Sequence, residues 1–133
     1  MRIVPMVAAA SFALSMHSAP ARADYLQYQK CVGAGAATNA AWSECGAAWI
    51  ERADAALNAT WKELRSVLAG ETAQAMLEEQ RAWNAYKEKS CMFWASGEYG
   101  REGQVISYPA CRAEVIEERT ARLKLYLDRV KPR

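Results

Sequence analysis

Cys31, Cys45, Cys91 and Cys111 are the four cysteines of this 133-residue chain, and His17 is its single histidine. An even cysteine count in an exported chain reads as two disulfides, with a zinc site as the rival. The intervals of 14, 46 and 20 residues contain no C-x-x-C knuckle, which disfavours zinc. His17 lies in an N-terminal segment expected to be removed, and without it no Ser-His-Asp or Cys-His nucleophile can be assembled. Glu63, Glu78, Glu79, Glu117 and Glu118 are the acids a glycosidase reading would draw on. They fall on helical segments among lysines and arginines, the pattern of solvated faces rather than of two carboxylates flanking a sugar bond. Nothing in the sequence marks one of them with a raised pKa. The reading is a non-enzyme with no catalytic residue, no metal and no cofactor.

Recognition is the chemistry that remains. Residues 95–109 carry Glu98, Tyr99, Arg101, Glu102 and Tyr108 among Gly97, Gly100 and Gly103, and glycine permits unusual backbone angles. Cys91 and Cys111 flank this stretch, so a disulfide there would hold a loop on a rigid scaffold, as insertion into a partner's cleft requires. The competing reading is a spacer between two helices. Asp54, Asn58, Gln80 and Arg81 form a second polar set. They are either a binding site or, preferably, a helix-to-helix network in which Arg81 pairs with Asp54 and Gln80 or Asn58 satisfies backbone groups.

The N-terminus places these residues outside the cytoplasm. Arg2 is followed by an almost wholly apolar run at 3–16, and Ala21-Arg22-Ala23 forms an A-x-A cleavage site. Residues 1–23 are therefore expected to be a signal peptide cleaved after Ala23, leaving Asp24 at the head of a single domain, 24–133. The apolar run is short of the about 20 residues that span a bilayer, so no membrane anchor is expected. The product should be periplasmic or secreted. Cleavage removes Arg2 and Arg22, so 17 Lys and Arg fall to 15, equal to the 15 Asp and Glu. A neutral, evenly mixed chain carries no footprint for nucleic acid or an anionic membrane surface.

Helices must position all of this. Trp42, Cys45, Trp49, Ala53, Leu57, Trp61, Leu64 and Leu68 recur in steps of three or four, predicting a helix over 39–69. Thr38 or Asn39 is its N-cap and Gly70 its C′ glycine. A second helix is expected over 72–94, with Met76, Leu77, Gln80, Trp83, Tyr86, Ser90, Cys91 and Trp94 inward, and a third over 110–130. Trp94, beside Cys91 at the loop entrance, is expected to be partly exposed. A short helix at 25–31 precedes the Gly33-Ala34-Gly35 turn. Strand signals are nearly absent, residues 104–108 being the one stretch that reads as extended. The fold class is all-α: a small antiparallel bundle of three main helices plus a short N-terminal one, with two disulfides. On one continuous helix Cys31 and Cys45 would stand about 21 Å apart, beyond bridging range. The glycine turn folds the short helix back and the 95–109 loop returns Cys111 to Cys91. Cys31–Cys45 and Cys91–Cys111 are thus the preferred pairs, each closing a loop worth roughly 3 kcal/mol.

Two stretches carry a family resemblance. Residues 38–64, TNAAWSECGAAWIERADAALNATWKEL, hold Cys45, then Ala53-Asp54, then Leu57-Asn58, then an aromatic and a Leu at helical spacing. Residues 79–91, EQRAWNAYKEKSC, hold Gln80-Arg81-Ala82-Trp83 and Cys91, followed by a glycine-containing loop, Cys111 and a helix with Arg119 and Leu123. Together these resemble the LprI-type family, named for a mycobacterial lysozyme inhibitor. Two departures stand out: the name-giving protein is a lipoprotein while no Cys follows the cleavage site here, and Lys87 stands where Arg is frequent. The resemblance implies a helical domain that binds a protein target such as a lysozyme. An envelope accessory protein or a periplasmic immunity protein against a toxin are the alternative binding roles.

Overall fold

The computed structural model describes residues 19–131 apart from Ala36. The apolar run at 3–16 and His17 lie outside the described residues. Four long helices form the scaffold: α1 (Ala19–Ala34), α2 (Asn39–Val67), α3 (Gly70–Lys89) and α6 (Tyr108–Val130). Between α3 and α6 lie two short helices, α4 (Met92–Ala95) and α5 (Gly100–Glu102), a 3-10 turn at Gly97–Tyr99 and a π turn at Gly103–Ser107. The described residues contain no strand.

Thr38 caps α2, its Oγ1 accepting from the Ala41 amide at 3.2 Å and satisfying one of the four amides a helix start leaves free. The buried stripe is Cys45, Trp49, Ala53, Leu57, Thr60 and Leu64. It takes Thr60 where the sequence pattern points to Trp61, and Trp61 is half-buried against the same core. The Thr60 hydroxyl donates back to the Ala56 carbonyl at 2.9 Å, so the buried oxygen is not left unmade. Gly70 is left-handed, φ +57°, yet it opens α3 rather than following the α2 C-cap directly: Leu68 is that cap, and Leu68 and Ala69 are extended.

Consecutive long helices run antiparallel. Asp24 pairs with Arg52 and Cys31 with Cys45, which sets α1 against α2. Glu79 reaches Arg119 and Glu88 reaches Arg112, which sets α3 against α6. α2 and α6 are consequently parallel neighbours, and three contacts fix their register. At one end a Cβ on Gly46 would lie 2.6 Å from Pro109 Cβ, so only glycine lets the two backbones come this close. Further along, Trp49 Nε1 donates to Glu117 Oε1 at 2.6 Å. At the far end Lys131 Nζ meets Glu63 Oε1 at 2.6 Å.

The core has two parts. Ala53, Leu57, Leu64, Met76, Ile116, Leu123 and Leu127 pack where α2, α3 and α6 meet. Tyr28, Cys45, Trp49 and Ala113 pack where α1 joins α2 and α6. Tyr28 is 1 % exposed, stacks against Trp49 at 5.0 Å between ring centroids, and donates from its hydroxyl to the Ile106 carbonyl at 2.8 Å. Burial, with Tyr25 nearby, pushes its phenol up to about 12. α3 contributes less: Met76 and Gln80 are its buried residues, and Tyr86, expected inward, is exposed.

Both disulfides join neighbours in sequence, Cys31 to Cys45 and Cys91 to Cys111, each with Cα atoms 5.8 Å apart. The expected loop does not form. α3 stops at Lys89, five residues before the expected end at Trp94, where extended Ser90 and left-handed Cys91 (φ +67°) reverse the chain. From Met92 onward the backbone is helical in short pieces, and residues 104–108, expected extended, lie in the π turn and the start of α6. The reason is visible at Gly103. A Cβ there would stand 2.5 Å from Tyr99 Cβ and 2.6 Å from the Trp94 carbonyl oxygen. This glycine admits close packing of one helical turn on another; it does not loosen the chain.

Candidate functional site

The Cys91–Cys111 staple and residues 92–108 form a cap on one end of the bundle. Within it Phe93, Trp94 and Tyr99 cluster face to edge. Phe93 and Tyr99 are 4.6 Å apart between centroids, and each is 5.0 Å from Trp94. Such tilted and edge-on pairs suit the ring quadrupoles. The cluster is not core: Phe93 is 61 % exposed, Met92 53 % and Tyr99 40 %, while Trp94 is half-buried. Ser96 secures the turn, its amide bonding the Met92 and Phe93 carbonyls and its hydroxyl donating to the Phe93 carbonyl at 2.8 Å.

Of the five residues the sequence proposes for recognition, four lie on the cap surface. Glu98, Tyr99, Arg101 and Glu102 are exposed, and Arg101 Nη1 donates to Gln104 Oε1 at 3.1 Å, which orients the guanidinium along the π turn. Tyr108 is half-buried at the start of α6 and stands apart from the ring cluster. The sequence reading misses Met92 and Phe93. A signal existed: three consecutive large apolar residues, Met92-Phe93-Trp94, cannot all face one core, because neighbours on a helix point about 100° apart.

The second polar set is organised differently from the expectation. Leu57 is core, Asp54 and Trp83 are half-buried, and Asn58 and Arg81 are exposed. Among the described residues Arg81 and Asp54 form no ion pair. Gln80 faces inward, so Arg81, the next residue round α3, turns outward. The buried cation is Arg119 on α6 instead. Its Nε donates to Gln80 Oε1 at 2.9 Å, its Nη1 to Glu79 Oε1, and its guanidinium lies 5.9 Å from the Trp83 ring centre. The network therefore joins α3 to α6, not α3 to α2, and Gln80 serves a side chain rather than a backbone group.

Two acids on α6 depart from their ordinary behaviour. Burial raises Glu114, with Glu118 adding to it. Burial also raises Glu117, against the hydrogen bond from Trp49. No sequence pattern marks Glu117, because its burial depends on how α2 and α6 pack. Glu117 faces the indole of Trp49 in the α2–α6 interface, and it lines neither of the two grooves described next. One groove, about 380 Å³, lies at the end opposite the cap and is walled by Leu64, Leu68, Met76, Tyr126 and Val130. The other, about 220 Å³, lies between α3 and α6. No group of three or more metal-binding side chains occurs among the described residues, and no helix there is long and apolar enough to cross a membrane.

The fold and the cap define a small, disulfide-stapled helical domain whose most elaborated surface is an exposed aromatic end. Residues 31–123 match the family described as lysozyme inhibitor LprI, a span running from the first cysteine to the core of α6. The chain belongs to that family. No curated protein and no solved structure shows a significant match to it.

Proposed function

We propose that this protein acts outside the cytoplasm as an inhibitor of a lysozyme or another cell-wall-directed enzyme, and that the cap is the part that enters the target. The observation that carries the reading is the exposed Phe93–Trp94–Tyr99 cluster, bordered by Glu98, Arg101 and Glu102 and tied to the bundle by Cys91–Cys111. A lysozyme cleft holds two carboxylates and binds sugar rings. Aromatic faces and a guanidinium are the groups that complement it, and Tyr99 and Arg101 provide them. The helical backbone of the cap is ordered before binding, so little ordering entropy opposes association.

Family membership and two disulfides support a site of action outside the cytoplasm. A cut after Ala23 is compatible with the fold, because Asp24 is the first described side chain with a tertiary partner, Arg52 at 3.0 Å. Intact mass of the exported protein should show Asp24 at its N-terminus, and a retained Met1 would refute the cleavage.

Titration of several lysozymes with oxidised protein tests the function. Tyr99→Ala and Arg101→Ala should each weaken inhibition by about thirtyfold, about 2 kcal/mol, with helicity unchanged. Absence of inhibition at tens of micromolar by the folded protein would refute the assignment to lysozyme.

A further inference from the structure

Cys91 is the one non-glycine residue with positive φ among the described residues, at +67°. A side chain in that left-handed region crowds the following carbonyl oxygen, and a helix end that needs the conformation normally has glycine. Nothing local asks for the break. No glycine or proline lies between Gly70 and Gly97, and the periodicity over 72–94 is that of one helix. The register of α3 on α6 supplies the cause. Glu79 pairs with Arg119 and Glu88 with Arg112, so a straight α3 would set residue 91 opposite residues 107–109. Cys111 lies about 3–6 Å further along α6, at about 1.5 Å per residue. The bridge draws Cys91 out of line, and the chain reverses at Ser90 and Cys91 to reach it. Little else restrains this end of α3. Its buried residues, Met76 and Gln80, stand well before the break, and Glu88 meets Arg112 only at 3.6 Å.

We propose that Cys91–Cys111 is a redox latch that holds α3 broken, and that opening it lets α3 run on through Trp94. The reductant is a dithiol. One of its thiolates attacks a bridge sulfur, and the displaced cysteine sulfur takes up a proton. Its second thiol then resolves the mixed disulfide and frees the other cysteine. The bridge gains two electrons and two protons and becomes two thiols, while the dithiol becomes a disulfide. Both cysteines are half-buried rather than enclosed, so the bridge can be approached. Once free, Cys91 leaves the left-handed region, and the amides of residues 91–94 bond the carbonyls of residues 87–90 in one continuous helix. Trp94 then no longer packs against Tyr99 and Gly103, and the aromatic cluster comes apart. Cys31–Cys45 is no such latch. Cys31 is exposed, but both of its cysteines lie inside regular helix, so opening it relieves no backbone. That opening Cys91–Cys111 also ends inhibition rests on the cap reading above.

Two variants without this bridge separate a latch from a mere crosslink: Cys91→Ala with Cys111→Ala, and Cys91→Gly with Cys111→Ala. Alanine favours continuous helix and resists the left-handed conformation, while glycine does the reverse. Backbone chemical shifts of residues 88–96, read by NMR, should show continuous helix in the alanine variant. Its ratio of helical to broken chain at residue 91 should exceed that of the glycine variant at least about fivefold. Native protein treated with dithiothreitol should move to the alanine variant's shifts at residues 92–96, with alkylation placing free thiols at Cys91 and Cys111. Against a lysozyme the alanine variant should inhibit more weakly than the glycine variant, again at least about fivefold. The proposal is overturned if the alanine variant keeps the break at residues 90–91, or if the two variants change equally. It is also overturned if dithiothreitol opens Cys31–Cys45 and leaves Cys91–Cys111 closed. The expected shifts without inhibition by any form would refute the lysozyme reading and uphold the latch. The expected shifts with equal inhibition by both variants would refute the cap as the site.

Discussion

Gly103→Ala should damage the cap even though alanine is the better helix former. The added Cβ would sit 2.5 Å from Tyr99 Cβ and 2.6 Å from the Trp94 carbonyl oxygen. Neither neighbour is the free end of a flexible side chain, so backbone must move to admit it. Overpacking of this kind costs about 1–3 kcal/mol, and the gain from replacing glycine within helical backbone returns about 0.5–1 kcal/mol. The net loss should be about 1–2 kcal/mol, a fall in melting temperature of about 5–10 °C for a domain this size. Gly97→Ala is the control in the same cap, because a Cβ there meets nothing within 4 Å and the backbone is not left-handed. It should be neutral or slightly stabilising. Thermal unfolding of both variants, followed by circular dichroism and paired with lysozyme titration, reads the difference. Gly103→Ala should also lose inhibition, since Tyr99 is pushed from Trp94. Equal melting temperatures for the two variants would refute the close-packing account of the π turn.

Glu117→Gln keeps an oxygen for the Trp49 indole and removes the charge. Because burial raises the Glu117 pKa, the folded state holds the proton longer than the unfolded state, and this residue's penalty grows as pH rises from about the usual 4.5 through the raised value. The variant should therefore gain on the native protein between pH 4 and 7 in urea titrations, and a pH-independent difference would contradict the assignment. Replacing Cys31 and Cys45 together by serine should cost roughly 3 kcal/mol and raise amide exchange along α1, because their bridge closes a loop of 14 residues and ties that helix down. Unchanged exchange at Tyr28 would mean that its hydrogen bond and stacking suffice without the bridge.

Much of the scaffold was legible because it rests on local rules. Thr38 and the Cys45–Trp49–Ala53–Leu57 stripe are a cap and a periodicity, and they place α2 to within two residues. The cysteine pairs followed from chain reversals alone. The cap was not legible, because its glycines carry two opposite meanings. In sequence Gly97, Gly100 and Gly103 announce a loop; in space Gly103 lets helical turns touch. The partner of the polar network was misassigned to Arg81 for a related reason, since Arg119 is the arginine that turns inward. Arg81 sits in the more conspicuous motif, but which of two arginines turns inward is decided by the rotation of α3 and α6 against each other. Tyr28 is core only because α1 folds back on Trp49 and Ile106, contacts separated from it by tens of residues.

Calorimetric titration of a lysozyme with the oxidised protein, alone and with a chitin oligosaccharide filling the cleft, tests the central claim most directly. The account predicts saturable binding that the saccharide abolishes, and a loss of at least about thirtyfold when Phe93 and Tyr99 are both replaced by serine. Undiminished binding by that double variant, or a complex that forms equally well with the cleft occupied, would contradict it.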